Sequence, residues 1–469
     1  MKIKKLLGKH LLGILLGGLS SSLYIQTSIA QDHYPLNLTK AGETEERIFS
    51  SLDEALQNPQ EVFHLDLSEQ ELSELSPQIG KIQNLKILNL YHNNLKRLPT
   101  EINQLQNLEE IYLGNNPNLE CDVVLIQLSK LGKLRKLHLN NNNLYVLPPS
   151  IGMLNGLQTL NLHMNNLTGL PAEIANLTYL KDLYLQSNHL KSLPYEITQL
   201  KNLISLDLYF NQIAALPEQI GDLENLKTLN IAQNSITELP KGIAQLANLQ
   251  SIYLGQNPIL DHQQTFAILA HLSNLRVLHL MKNNILEIPK EIGLMSNLQE
   301  LYLNENEIRA LPADLFRLER LKVLSLSNNL VEEVSEEIKN LKSLESLSLS
   351  YNRELDISNT LINLGALASL IELDLAGNQL ETIPVEIKYL KFLRYLDLSN
   401  NHIRSFDQNL EFLDELKVLD LSRNLIEYLP ENVSYLENVS ELYLIKNRFS
   451  LLKQEEARTK LPQTFINFH

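Results

Sequence analysis

The stretch Leu85-Lys86-Ile87-Leu88-Asn89-Leu90-Tyr91-His92-Asn93-Asn94-Leu95 decides the fold, because its pattern Leu-x-Leu-x-x-Asn-x-Leu returns along nearly the whole chain. Counted on the asparagine, it recurs at Asn93, Asn116, Asn142, Asn165, Asn188, Asn211, Asn234 and Asn257. It continues at Asn283, Asn306, Asn329, Asn352, Asn378, Asn401, Asn424 and Asn447. A degenerate first copy carries Gln70 in the same place, which makes seventeen. Every step is 23 residues except three of 26. Self-similarity at that period identifies a solenoid, in which each coil buries its apolar side only by stacking on its neighbours.

Within one copy, Leu85, Leu88 and Leu90 alternate with Ile87, Asn89 and Tyr91. A short strand therefore buries the leucines and presents the others. Asn93 falls at the inward turn, where its amide has donors and an acceptor for the exposed backbone of the turn and of the next coil. The return limb reads Leu98-Pro99-Thr100-Glu101-Ile102, followed by Leu105 and Leu108. Leucine before proline is held extended and proline suits a first helical position, so the limb predicts a helix start. The limb recurs at 170–174, 193–197, 288–292 and 383–387. The three longer steps, after Asn116, Asn257 and Asn352, lack the Leu-Pro signal and carry a more helical run, such as 122–131. Chain direction repeats in every coil, so the expected fold is an α/β solenoid with one parallel sheet of about 17 strands on its inner face.

The motif resembles that of leucine-rich repeat proteins, over residues 62–449. That resemblance implies a right-handed horseshoe whose concave face carries the sheet. Residues 31–61 are expected to form an N-terminal helical cap, with Ile48, Leu52, Ala55 and Leu56 at helical spacing. Residues 450–469 are expected to form a C-terminal cap, helical at 454–460 and extended at 464–468.

Residues 1–30 read as a secretory signal peptide: Lys2, Lys4, Lys5 and Lys9, then a glycine-broken apolar stretch, then Ser28-Ile29-Ala30. The apolar stretch is too short and broken for a stable membrane span. Removing this segment takes four lysines and no acid, so the net charge of −15 becomes −19. A surface that acidic disfavours nucleic acid as a partner. The lone Cys121 has no partner for an intramolecular disulfide, so cysteine-paired caps are absent. The stretch 51–59, the first strand Val62-Phe63-His64-Leu65-Asp66-Leu67-Ser68 and the ending Lys460-Leu461-Pro462-Gln463-Thr464-Phe465-Ile466-Asn467-Phe468 narrow the resemblance. Together with the signal peptide they are similar to a secreted leucine-rich repeat family of spirochaetes. The resemblance implies an exported protein, secreted or on the cell surface, that contacts host cell-surface or matrix proteins. The alternative is a periplasmic scaffold or inhibitor that binds another envelope protein.

A partner is expected on the concave face. Tyr112, His138, Tyr184, Tyr253, His279 and Tyr302 fall in the middle outward column, and Tyr91, His163, Tyr209 and Phe210 in the columns beside it. Nine of the 17 tyrosines fall on inner-face positions, far more than scattering would place there. Tyrosine supplies large, stiff, half-polar contact area. Asp374, Asp397 and Asp420 occupy successive places in the middle column; they read as solvated residues of a Leu-Asp-Leu-Ser phrase or as receptors for a cation. His138 and His163 lie diagonally on adjacent strands without a third ligand, so no metal is assigned. No phosphate loop, nucleophile elbow or metal-ligand spacing occurs, and the chain reads as a monomeric binding protein without cofactor rather than an enzyme.

Overall fold

The computed structural model describes residues 47–406 and 408–468; the signal peptide expected at 1–30 lies outside them. The repeats give seventeen three-residue strands, from His64–Asp66 to Glu441–Tyr443. One strand is added at each end, Ile48–Phe49 and Phe465–Asn467. All nineteen form one parallel sheet in which each strand pairs only with its sequence neighbours, as Asn89 with Asp66 before it and Tyr112 after it. In the specimen coil Leu85, Leu88, Leu90, Leu95, Leu98, Ile102, Leu105 and Leu108 are all buried. Each such side chain stabilises the stack by about 1.5–3 kcal/mol before entropy is charged against it.

The inward turn is held by the buried amides. Asn93 Nδ2 donates to the carbonyls of Leu67 (2.9 Å) and Leu90 (3.1 Å), and its Oδ1 accepts from the N–H of Leu72 at 2.9 Å. Its intercoil bonds thus run to the preceding coil, not to the next. Asn211 repeats the arrangement with Leu185, Leu208 and Leu190 at 3.0 Å each. The residue before each ladder position has positive φ, from Glu69 at 60° to Lys446 at 56°. Only Gly377 is glycine there; a Cβ on it would collide with the ring of Tyr351 from the coil before.

Most return limbs are five-residue 3₁₀ turns, such as Thr100–Gln104, with Ile102 and Leu105 donating three residues back; the last, Ser434–Leu436, has three residues. Pro99 stands just ahead of the turn instead of at its first position. Only the 26-residue coils contain true α-helices here: Cys121–Leu128, His262–Leu269 and Ile357–Leu364. Asp261 and Asp356 cap the last two by accepting from N–H groups three residues on.

The ends differ in one respect from expectation. Ile48 and Phe49 form a strand that pairs with His64 and Leu65, so the N-terminal helix shrinks to Leu52–Ala55. An unpaired sheet edge offers the chain more backbone hydrogen bonds than another helical turn would. At the C-terminus the helix Leu451–Lys460 and the strand Phe465–Asn467 close the stack.

A second row of asparagines runs along the outside. Asn84, Asn107, Asn202, Asn225, Asn248, Asn274 and Asn297 each donate Nδ2 to a carbonyl of the preceding coil, at 2.6–2.9 Å. Each sits just before the leucine that opens a strand.

Candidate functional site on the concave face

Two kinds of residue share the middle outward column. Where it holds Asn or Asp, the side chain accepts the N–H two residues on: Asn89 from Tyr91, Asn161 from His163, Asp207 from Tyr209, Asn230 from Ala232. These residues serve the turn. Tyr112, His138, Tyr184, Tyr253, His279 and Tyr302 cannot make that bond, and the turns close without it.

The aromatic residues form ridges. Tyr112 stacks on His138 with centroids 4.3 Å apart and planes 9° apart. His279 lies between Tyr253 (4.5 Å) and Tyr302 (4.0 Å). Register makes both groups neighbours on adjacent strands. Between the ridges lie hollows floored by short polar residues: Asn161 before Tyr184, then Asp207 and Asn230 between Tyr184 and Tyr253. Strand spacing makes the second hollow about 14 Å from wall to wall.

Electrostatics differ from ridge to hollow. Glu110 accepts from the Tyr112 hydroxyl, meets His138 Nε2 at 3.1 Å and pairs with Lys136 at 3.1 Å. Burial opposes its ionisation, but the His138 and Tyr112 hydrogen bonds outweigh burial and hold the carboxyl down to about 2. Burial beside Glu110 pushes the Tyr112 hydroxyl up, so it stays a donor. In the hollow, burial lifts Asp207 to about 7 against the Tyr209 N–H and the Asn230 amide. Burial pushes His279 down to about 3, so the stacked imidazole is neutral.

The expected contact residues do not share one environment. Tyr91, Tyr112, His138, His163, Tyr184, Tyr253 and Tyr302 are half-buried and Phe210 is exposed, whereas Tyr209 and His279 are buried. His279 is covered because its ring is clasped on both faces, so it stiffens the ridge and offers little surface of its own. His138 and His163 point to separate partners, Glu110 and Asn161. Among the described residues no group of three His, Cys, Asp or Glu is placed to hold a metal ion.

Asp374, Asp397 and Asp420 face one another in register and are half-buried, so the solvated reading is replaced. Ser348 Oγ donates to Asp374 at 2.6 Å, and the N–H groups of Ala376, Ser399 and Ser422 cap the three acids. Burial pushes all three carboxyls up, Asp397 furthest because Asp374 and Asp420 flank it. Cys121 is buried, and burial beside Asp122 lifts its thiol to about 12, which removes it as a nucleophile.

The geometry matches known sequence families. The profile described as a leucine-rich repeat region matches residues 113–212 and 259–383, and that described as leucine rich repeat matches 201–259 and 393–449. A leucine-rich repeat protein of Leptospira interrogans shares 34% identity over 90% of this chain and 100% of its own, with a TM-score of 0.70. This chain belongs to the leucine-rich repeat family. The leucine-rich repeat ectodomain of the membrane receptor kinase GASSHO1/SCHENGEN3 from Arabidopsis thaliana, solved with CASPARIAN STRIP INTEGRITY FACTOR 2, is 27% identical. The match covers 89% of this chain and 57% of the ectodomain, with a TM-score of 0.52. An internalin of Listeria monocytogenes shares the fold at 23% identity over 74% of this chain and 88% of its own, with a TM-score of 0.51. No protein of curated function matches the sequence. The leucine-rich repeat fold is a scaffold for protein interaction and is generally non-enzymatic. No described helix is long and apolar enough to cross a membrane.

Proposed function

We propose that this leucine-rich repeat protein is exported and binds a protein ligand, a host cell-surface or extracellular-matrix protein, on the concave face between Tyr91 and Tyr302. One observation carries the reading: the middle column uses its Asn and Asp to close turns, while its tyrosines and histidines close none, and Tyr112 with His138 and Tyr253, His279 and Tyr302 stand as stacked ridges. A preformed ridge spares the entropy of ordering a binding surface. The hollow floored by Asp207 and Asn230 receives a ligand side chain between the Tyr184 and Tyr253 walls. The peptide-bound plant ectodomain and the Leptospira protein lend support by analogy of fold and family. Export rests on residues 1–30 as a signal peptide.

Protease shaving of intact source cells, with a periplasmic marker as control, tests placement. Loss of the protein while the marker survives supports host contact; full protection makes an envelope scaffold the better reading. For the face itself, changing Tyr112, Tyr184 and Tyr253 together to Ala leaves the melting temperature near that of the parent and weakens a captured ligand by more than about tenfold, or 1.4 kcal/mol. Unchanged affinity would move the site off the concave sheet.

A further inference from the structure

Among the described residues, the outer side of the solenoid carries an aromatic patch in its C-terminal third that stacking does not explain. The last position of the five-residue 3₁₀ turns is polar at Lys81, Gln104, Asn176, Gln199, Asp222, Gln245, Arg317 and Asn340, and aliphatic at Met153 and Leu294. In two successive coils it is aromatic: Tyr389 closes Val385–Tyr389 and Phe412 closes Gln408–Phe412. These two turns pack on each other. Phe392 stands where the outer asparagine row would continue, three residues beyond Tyr389. On the other side Tyr389 rests on the end of the Ile357–Leu364 helix, where a Cβ on Gly365 would come within 2.7 Å of it, and that helix carries Ile362. Ile362, Tyr389, Phe392 and Phe412 are 51%, 46%, 53% and 43% exposed. Together they offer on the order of 400 Å² of apolar surface, within the range of the largest patches on monomers, which are often functional.

Charge around the patch selects the occupant. The Tyr389 turn carries Lys388, with its Nζ 5.3 Å from the Tyr389 ring, and the exposed Lys391. The Phe412 turn carries the exposed Glu411 and Asp414. The Tyr389 turn also holds Glu386, and Arg394 beyond it pairs with Glu415 of the next coil at 3.7 Å, so one coil is net basic and the next net acidic, with aromatic residues on both. A two-fold axis passing between these coils would set each basic stripe against the partner's acidic stripe and aromatic against aromatic. A self-complementary surface of this kind is what an isologous contact requires. An anionic membrane would be repelled by Glu411 and Asp414, and the chain's net charge of −15 adds to the repulsion.

We infer that the outer face of the coils bearing Tyr389 and Phe412 binds a second copy of this chain, joining two solenoids through their C-terminal thirds and leaving both concave faces open. The apolar core is smaller than a standard interface, as in a weak, reversible dimer. This dimer departs from the monomer expected from the sequence.

Light scattering and sedimentation of the full chain across its soluble concentration range test this. The parent is expected to show a concentration-dependent dimer. K388E/K391E and E411K/D414K each keep the parental circular dichroism and melting temperature, and each alone loses at least about tenfold in dimer affinity. Mixed together they form a heterodimer, since one chain then presents two acidic stripes and the other two basic ones. Phe412→Ser weakens the dimer without altering the fold, while Tyr112→Ala leaves it unchanged. A parent that stays monomeric at every concentration overturns the inference. So does a dimer indifferent to both charge reversals, or a mixture that fails to associate.

Discussion

Two columns of identical residues stack coil upon coil in this protein, and they fare differently. The ladder asparagines are at home in the core: the Asn211 amide, for one, donates to carbonyls of its own coil and the preceding one and accepts from a third backbone group. Asp374, Asp397 and Asp420 stack at the same spacing, and burial plus mutual repulsion pushes their carboxyls up. An amide carries donor and acceptor together, so repeating it along an axis repeats a satisfied unit. A carboxylate only accepts, so repetition multiplies one sign of charge. Periodicity thus rewards residues that complement the backbone and taxes residues that must complement one another.

The largest effect should come from crossing the two columns. Asn211→Asp places an acceptor against the Leu185 and Leu208 carbonyls and removes both donors, at a cost of about 3–5 kcal/mol in chemical denaturation at pH 7. The loss should shrink in acid, where a protonated carboxyl regains one donor. Equal stability of the variant and the parent at pH 7 would break the contrast.

The reverse exchange, Asp397→Asn, keeps the acceptor for the Ser399 N–H and removes the central charge. It should stabilise by on the order of 1 kcal/mol at pH 7. An acid whose folded pKa lies above its unfolded value contributes fully below the unfolded value and loses that contribution as pH rises. The gain should therefore vanish near pH 3 and open from about pH 4 upward, the unfolded aspartate range. A gain that is flat with pH would mean that packing, not charge, sets the difference.

The smallest effect belongs to the exposed row. Asn225 makes a bond of 2.9 Å to the Lys201 carbonyl, much like those in the buried ladder, but water can replace it. Asn225→Ala should cost no more than about 0.5 kcal/mol in the same titration. A cost approaching that of the buried ladder would show that geometry outweighs desolvation.

The strand positions and the three helical insertions were legible because both rest on spacing, which the sequence displays directly. Leu85, Leu88 and Leu90 can be placed inside from their alternation alone. Spacing says which column a residue joins and nothing about the height of its neighbours. His279 is buried because the rings of Tyr253 and Tyr302 cover it, and Asp397 is pushed up because Asp374 and Asp420 flank it; neither cause is local in sequence. The outer asparagine row did leave a signal, Asn before the leucine that opens a strand at 84, 107, 202, 225, 248, 274 and 297. The stronger Leu-x-x-Asn phrase accounts for the period without it, which masks the signal. Ile48 fits a helical stripe as well as a strand, and only the free edge at His64 decides between them.

Each coil touches only the coils before and after it, and that gives the molecule a graduated response to tension. Pulled by its ends, the stack has no strand shared between distant coils to resist as a whole, so it yields one coil at a time from whichever end is weaker. A 23-residue coil pays out about 75 Å of extended chain, and a 26-residue coil about 85 Å. The three longer coils, at Asn116, Asn257 and Asn352, would stand as wider teeth at fixed places in the record. A protein built this way lengthens under tension in measured steps instead of giving way at once, with the coils that have not yet yielded still folded and still presenting their face.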